Sequence, residues 1–339
     1  MGRWFSPLRL AAAGAILLVA VFAYMVTRKS DKLLEVPDPA HPLAGLISVP
    51  GSSGRQNGGG IYYVDVVLRK ASLLQAAFKS FRPEGADLIA EKDFVPTGLT
   101  YSQQLKIDDE TMKVSQRKAS VVALRTLGLK FPAREGGVRV AAIDSDSHAR
   151  GVLRTDDIVV AADGRKVATA LDLFKALSRH RPGDVVQVVV RRGGKLLSFR
   201  IRTVADTLTP RRALIGFAPI EVISARLPFP VHFGLRNVGG PSAGLAFALE
   251  LLEQRGRDVD RGLKIAATGE IQLDGSVTSI GGVKQKTIGA RQAHVDAFLV
   301  PVDGDNAKVA KRYAHGLRII PVKNFQQALQ ALATLPAKS

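Results

Sequence analysis

The longest uniform stretch of the chain is its first. From Leu10 to Val26 no position is charged, and Ala, Leu and Val dominate. Such a run is just long enough to cross a bilayer as a helix. Arg3 and Arg9 precede it; Arg28 and Lys29 follow. Ala23-Tyr24-Met25-Val26 offers no small-x-small cleavage site, so the pattern predicts a retained signal anchor over 1–29 rather than a cleaved signal peptide. With positive charge at both ends, the positive-inside rule barely chooses an orientation. Prolines at 37, 39, 42 and 50, Gly51-Ser52-Ser53-Gly54 and Gly58-Gly59-Gly60 then predict a loose stalk over 30–59. The apolar run Ile61 to Leu68 reads as one strand, and 71–128 reads as mainly helical, with Gln103 to Leu127 its longest helix.

The next unit, 128–205, has a different rhythm. Gly137 to Ile143 and Asp157 to Ala162 read as strands, the second closed by an Asp163-Gly164 turn. Thr169 caps a helix through Leu171, Phe174 and Leu177, and Pro182-Gly183 ends it. Val185 to Val190 and Leu196 to Ile201 then form a hairpin across Arg192-Gly193-Gly194. Strand, strand, helix and hairpin in this order describe a small, partly open barrel. The stretch Ser147-His148-Ala149-Arg150-Gly151-Val152-Leu153-Arg154-Thr155-Asp156-Asp157-Ile158 resembles the PDZ family's small-residue turn followed by Gly-Leu-x-x-Gly-Asp-x-Ile, with Asp156 where that family usually has glycine. The resemblance implies binding of protein C-termini as an added strand. Gly128-Leu129-Lys130-Phe131 is the expected carboxylate-binding loop; a domain that only positions its neighbours is the plainer reading.

From 206 to 339, short strands and helices alternate as in a layered α/β domain. Strands are expected at 213–217, 231–235, 264–269, 297–301 and 317–321, and helices at 245–254, 283–293, 307–313 and from Asn324 to 332. Two glycine-rich segments open helices there. In Asn237-Val238-Gly239-Gly240-Pro241-Ser242-Ala243-Gly244-Leu245, the glycines permit close backbone approach and Pro241 suits a first turn. Ser242 then sits where free N–H groups and a positive helix end can hold an oxyanion, although an ordinary N-cap serine fits the same pattern. In Ile280-Gly281-Gly282-Val283-Lys284-Gln285-Lys286, the spacing places Lys286 on an apolar stripe with Val283, Ala290 and Ala293, while Lys284 points elsewhere. A lysine there must snorkel, pair or lose its proton; losing it makes the base that a serine hydroxyl needs.

Taken together these segments resemble the proteolytic domain of Lon proteases, family S16, and more narrowly Lon-like proteins with a membrane anchor and a PDZ domain. Gly240-Pro241-Ser242-Ala243-Gly244 matches the nucleophile motif, Thr268-Gly269-Glu270-Ile271 a strand end, and Ile280 to Lys286 the stretch bearing the general base. The resemblance implies Ser242 as nucleophile, Lys286 as base, and Thr268 as the hydrogen-bond partner that orients the lysine amine. Gly240, Pro241, Ala243, Gly244, Gly281 and Gly282 form the expected supporting set around the oxyanion. Lon proper has Lys-Asp before Gly-Pro-Ser, whereas this chain has Val238-Gly239, so those upstream roles do not carry over; the narrower group commonly has Asn-x-Gly-Gly-Pro-Ser. No Gly-x4-Gly-Lys-Ser/Thr loop occurs in the sequence, so no ATPase motor is expected.

Composition adjusts this picture only at its margins. With 339 residues, 46% of them hydrophobic, several folded units are affordable. There is no cysteine, which removes disulfides and thiolate chemistry, and the six histidines lack metalloprotease spacing, so no metal or cofactor is expected. The net charge of +18 is dispersed, and one tryptophan with five tyrosines makes a poor base-stacking platform; an anionic membrane surface suits the charge better than a specific nucleic acid. The sequence therefore predicts an α/β protein with a transmembrane helix, a PDZ-like β-barrel and a Lon-type α+β proteolytic domain. Its expected activity is serine endopeptidase cleavage of peptides and of unfolded, membrane or exported proteins. It is expected as a single-pass cell-membrane protein with its domains extracytoplasmic, and a homo-oligomer stays open as for Lon-type domains. The competing reading is a membrane-tethered PDZ adaptor whose protease fold is inactive.

Overall fold

The computed structural model describes residues 7–52, 58–95, 99–206, 209–235 and 238–338. Arg3, Ser53-Gly54 and Asn237, used above, lie outside these residues. Helix α1 (Pro7–Thr27) is the apolar run; its stretch Leu10–Thr27 has mean hydropathy 2.3, is unburied, and is long enough to cross a membrane. Strand β1 (Lys29–Pro37) follows almost at once, then β2 (His41–Pro42), β3 (Ile47–Ser48), β4 (Gly60–Tyr63) and β5 (Val66–Ser72).

The expected stalk is thus not loose. Strand β1 forms a sheet with β5 and with β6 (Asp87–Ala90), in the order β5-β1-β6. The single strand expected over 61–68 is two, broken at Val64-Asp65, and its halves serve different sheets. Between β5 and β6 lies the short helix α2 (Leu73–Ala77), closed by a capping box of Ser72 and Gln75. After α3 (Glu91–Phe94) comes the 26-residue helix α4 (Tyr101–Thr126), started by a second capping box, Thr100 with Gln103.

The middle unit follows its predicted order. Strands β7 (Ala133–Ile143), β8 (Ile158–Ala162) and β9 (Arg165–Lys166) precede α5 (Ala170–Leu177), capped by Thr169, and the hairpin β10 (Val185–Arg192) with β11 (Lys195–Arg202). Val186, Val188 and Val190 point into the barrel core and alternate with more exposed neighbours, as period two requires. Asp156, the departure from the glycine pattern, is held at φ 69° and so accepts the left-handed turn that glycine usually fills. After β12 (Val204–Ala205) and β13 (Ala213–Leu214), β14 (Phe217–Ala225) returns and pairs antiparallel with β7, giving the order β11-β10-β8-β7-β14.

The last unit contains β15 (His232–Phe233), α6 (Gly244–Gln254), β16 (Lys264–Ala267), β17 (Glu270–Ile271), β18 (Val277–Thr278), α7 (Val283–Gln292), β19 (Ala297–Pro301), α8 (Asn306–Tyr313), β20 (Arg318–Val322) and α9 (Phe325–Ala333). Its central sheet has the order β2-β4-β16-β19-β20, with β4, β16, β19 and β20 parallel. One of the five strands, β2, therefore comes from the segment expected to be a spacer, and β4 from the run expected as a strand. Side-chain alternation divides two cores. Ile265, Ala267 and Leu299 pack with α6, α9 and α4, whereas Ala266, Phe298 and Val300 pack with α7 and α8. Leu245, Phe247, Leu249 and Leu252 on α6 are fully buried, each such burial contributing about 1.5–3 kcal/mol. Gly59 is required where β4 enters: a Cβ there would lie 2.6 Å from the backbone of Gly262.

Candidate active site

The two glycine-rich segments converge. Ser242 lies two residues before α6, whose N-cap is Ala243, so its hydroxyl is not a helix cap. Lys286 lies in the first turn of α7, after Gly282, which adopts φ 68° at the N-cap. The Lys286 Nζ and Ser242 Oγ atoms are 2.8 Å apart. Lys286 is only 4% exposed, and Lys284 turns the other way, to Asp87 at 2.6 Å. The predicted stripe is wider than expected, because Gln285, Thr287 and Ile288 are buried as well as Val283 and Ala290.

Burial pushes the Lys286 amine down to about 8, against the opposing pull of the Glu35 and Asp65 carboxylates. Both acids were missed by sequence reasoning. Glu35 sits on β1, and its carboxyl is pushed up by burial and then by Asp87; Asp65 sits in the break between β4 and β5, pushed up by burial and then by Asp38. Gly282 leaves room for this arrangement, since a Cβ there would come within 2.8 Å of the Glu35 carboxylate. Gly289, one turn after Lys286, lets the 38–40 segment seat on α7, where Ala40 N–H donates to the Gly289 carbonyl at 3.1 Å.

The nucleophile loop is clamped from two sides. Gly269 N–H donates to the Ser242 carbonyl at 2.8 Å, and the Thr268 hydroxyl donates to the same oxygen at 3.1 Å. Thr268 therefore holds the serine backbone, not the lysine amine as expected. From the other side α4 supplies the Asp108 carbonyl, which accepts from Gly240 N–H at 2.9 Å, and the Ser115 hydroxyl, which donates to the Pro241 carbonyl at 2.9 Å. Asp108 fills the space above Gly239, where a Cβ would meet its side chain at 2.8 Å. Gly240 N–H, bonded to the Asp108 carbonyl, and Gly244 N–H, bonded to the Pro241 carbonyl, are thus both engaged. Gly281 has open space around its α-carbon.

One turn further along α4, Lys118 is 1% exposed and pairs with Glu221 of β14 and with Glu270 of β17 at 3.2 Å, and donates to Gln272 at 2.6 Å. Glu221 also accepts from Ala170 N–H, at the start of α5, at 2.8 Å. A buried polar chain thus joins the barrel helix to the strand that follows Thr268-Gly269. The only sequence signal for it was an apolar stripe at helical spacing, Met112, Ala119 and Val122, interrupted by Ser115 and flanked by Lys118.

Gly128, Leu129, Lys130 and Phe131 lie between α4 and β7, far along the chain from the dyad; Gly128 is at φ 84° and Phe131 stacks under the Arg125 guanidinium. The edge of β7 next to this loop is paired with β14 from Ala133 to Ile143 rather than open. Asp38, His41 and Asp65 bring three ligand-type atoms within 4.8 Å of one another, a spacing that could hold a cation, but His41 already bonds Asp38 at 2.9 Å.

With this geometry in place, similarity to known proteins identifies the units. Residues 231–334 match the Lon protease (S16) C-terminal proteolytic domain, and 126–203 match the PDZ domain family. The chain carries a Lon-type serine-peptidase domain and a PDZ domain. It is 34% identical over 135 residues to Lon protease 2 of Bacillus subtilis, covering 40% of this chain and 23% of that protein. It is 39% identical over 126 residues to Lon protease of Clostridium beijerinckii (33% and 16%), and 31% over 122 residues to the human mitochondrial Lon protease homolog (34% and 12%). The chain thus spans less than a quarter of each of these relatives. A crystal structure of the PDZ domain of an SdrC-like protein from Listeria monocytogenes is similar at 24% identity, covering 25% of this chain and 87% of that one, with a TM-score of 0.23.

Proposed function

We propose that the protein is a membrane-anchored serine endopeptidase that cuts peptides and unfolded, membrane or exported proteins with a Ser242–Lys286 dyad and no ATPase motor of its own. The observation that carries this reading is the 2.8 Å approach of a buried lysine, its amine pushed down to about 8, to a serine that caps no helix. Neutral Lys286 takes the proton from Ser242 as Oγ attacks the peptide carbonyl. The Ser242 and Ala243 N–H groups at the start of α6 are the donors that would hold the oxyanion, because those of Gly240 and Gly244 are engaged. The Lys286 ammonium then protonates the leaving amine, and water, deprotonated by the same lysine, releases the acyl group. Thr268 and Gly269 fix the backbone from which the nucleophile projects.

On this reading 1–29 anchor the chain, 128–205 receive protein C-termini away from the β7 edge that β14 already covers, and 206–339 cut. Residues 30–127 hold the dyad rather than space it. Labelling the full-length protein with a serine-reactive phosphonate tests the nucleophile: a single adduct on Ser242, absent from Lys286→Ala, is expected. Unlabelled Ser242 in a folded protein, with C-terminal peptides still bound, would favour the inactive adaptor instead.

A further inference from the structure

Beside the apolar helix the folded part carries an apolar foot. Helix α2 and the turn at 79–81 run back along α1 instead of away from it. The Leu73 N–H donates to the Arg28 carbonyl at 2.9 Å, which ties α2 to the end of α1. From there the chain descends: the Phe81 ring meets the Phe22 ring edge-on at 6.2 Å, and Phe78 meets Phe81 in the same way at 6.3 Å. An apolar groove of about 530 Å³ between the two segments reaches down to Leu18. Phe22 lies five residues and Leu18 nine residues before the end of α1 at Thr27, so the groove extends about 7 to 13 Å along the helix from that end. Even so, Phe78 is 51% and Phe81 48% exposed.

In water this arrangement leaves two phenyl rings half bare next to a helix that is itself bare, a large contiguous apolar patch on an otherwise charged protein. Its position supplies the occupant. If α1 spans a membrane, its 21 residues, about 31 Å, fill the hydrocarbon core, so side chains 7 to 13 Å below its end lie among the acyl chains of one leaflet. The charges agree: Arg28 and Lys29, just past the end of α1, are exposed at the rim, and the Arg82 guanidinium is folded onto the Gln75 and Ala76 carbonyls, satisfying the end of α2. Cations at the rim and rings below it match an anionic lipid surface.

We infer that 73–82 form a membrane-embedded foot, with Phe78 and Phe81 inserted among the upper acyl chains of one leaflet. This rests on the anchor reading of α1. The foot fixes the tilt of the folded part, because two points of contact replace a single flexible tether.

The test uses the full-length protein in phosphatidylcholine–phosphatidylglycerol vesicles, with Trp4→Phe removing the one native tryptophan. Phe78→Trp and, separately, Phe81→Trp report the foot, and Leu17→Trp reports the helix. Lipids brominated near the headgroup end of the acyl chain should quench both foot reporters, which should also be shielded from aqueous iodide; deeply brominated lipids should quench Leu17→Trp most. Foot reporters quenched by iodide but not by bromolipid, beside a quenched Leu17→Trp, would overturn the foot and leave the anchor standing. A Leu17→Trp reporter open to iodide would overturn both. Foot reporters shielded from both quenchers and crosslinked between two chains would assign the patch to a second copy, and also overturn the inference.

Discussion

The pH at which the enzyme switches on follows from the surroundings of Lys286. With its amine at about 8 instead of the ordinary 10.5, about one lysine in ten is neutral at pH 7, against about one in three thousand for an unperturbed side chain. Since the neutral amine is the base, kcat/KM should rise about tenfold per pH unit up to pH 7 and level off above about 8. Burial drives the shift, and Glu35 and Asp65 oppose it by stabilising the ammonium. Removing their charges therefore has a defined sign. Glu35→Gln or Asp65→Asn should lower the Lys286 pKa further, moving the acidic limb to lower pH and raising activity near pH 6. A short fluorogenic peptide and the full-length protein in detergent suffice to measure it. The same linkage appears in stability. Between pH 8 and 10.5 the unfolded chain binds the lysine proton and the folded one does not, so stability should rise with pH through that window; below pH 8 the folded state bears the whole penalty, about 3 kcal/mol. Lys286→Met should thus raise Tm at pH 7 while abolishing cleavage. A limb that stays put or moves upward in Glu35→Gln, with Tm unchanged, would refute the reasoning.

Other expectations are simpler. Ser242→Ala and Lys286→Ala should each remove peptide cleavage without unfolding the protein, whereas Lys284→Ala, losing only a partly exposed pair with Asp87 worth about 0–1 kcal/mol, should cleave normally. Lys118→Met leaves Glu221 and Glu270 without their buried cation and should cost about 3–5 kcal/mol in denaturant melts. ATP with magnesium should change neither the rate nor the substrate range of the purified protein, and tightly folded substrates should survive. Protease added to intact cells should digest the C-terminal unit if it is extracytoplasmic; protection until the inner membrane is permeabilised would place it in the cytoplasm.

Local signals carried the reading where structure is local. The uncharged run gave α1, Thr169 and Asn324 gave the starts of α5 and α9, and the turn at Asp163-Gly164 closed a hairpin with both residues at positive φ. What failed is the stretch between α1 and α4. Its prolines and glycines over 30–59 read as a spacer, yet β1 and β2 lie there, and β4, legible only as half of a longer strand, sits between β2 and β16, pairing Ile61 with Ile265 some two hundred residues away. A two-residue strand such as β2 has no detectable period, and a parallel partner as distant as that of β4 leaves no trace in neighbouring positions. The same gap hid Glu35 and Asp65. An isolated acid, whether Glu35 in the expected stalk or Asp65 within the expected strand, looks like ordinary solvated charge until the fold carries it to a lysine. Thr268 shows a different limit: the motif located the residue, while its hydrogen bond goes to the Ser242 carbonyl, a backbone acceptor that side-chain patterns do not reveal.

These misread residues change what the N-terminal segment is for. Strand β1 starts two residues after α1 ends and bears Glu35, one of the two carboxylates acting on Lys286. Glu35 lies eight residues after Thr27, about 26 Å if fully extended. If α1 is the anchor, the dyad is held within roughly that height of the bilayer by a paired strand rather than by a slack tether. A chain emerging from the same membrane then needs only about eight extended residues to reach the serine, and a freely diffusing chain gains nothing from the arrangement. The barrel is fastened to the same frame: β14 lies along β7, and Lys118 ties it to β17 beside the nucleophile clamp. Helix α1, barrel and dyad are therefore held by contiguous pairing and packing, so on the anchor reading membrane-proximal segments are the substrates expected to be cut fastest.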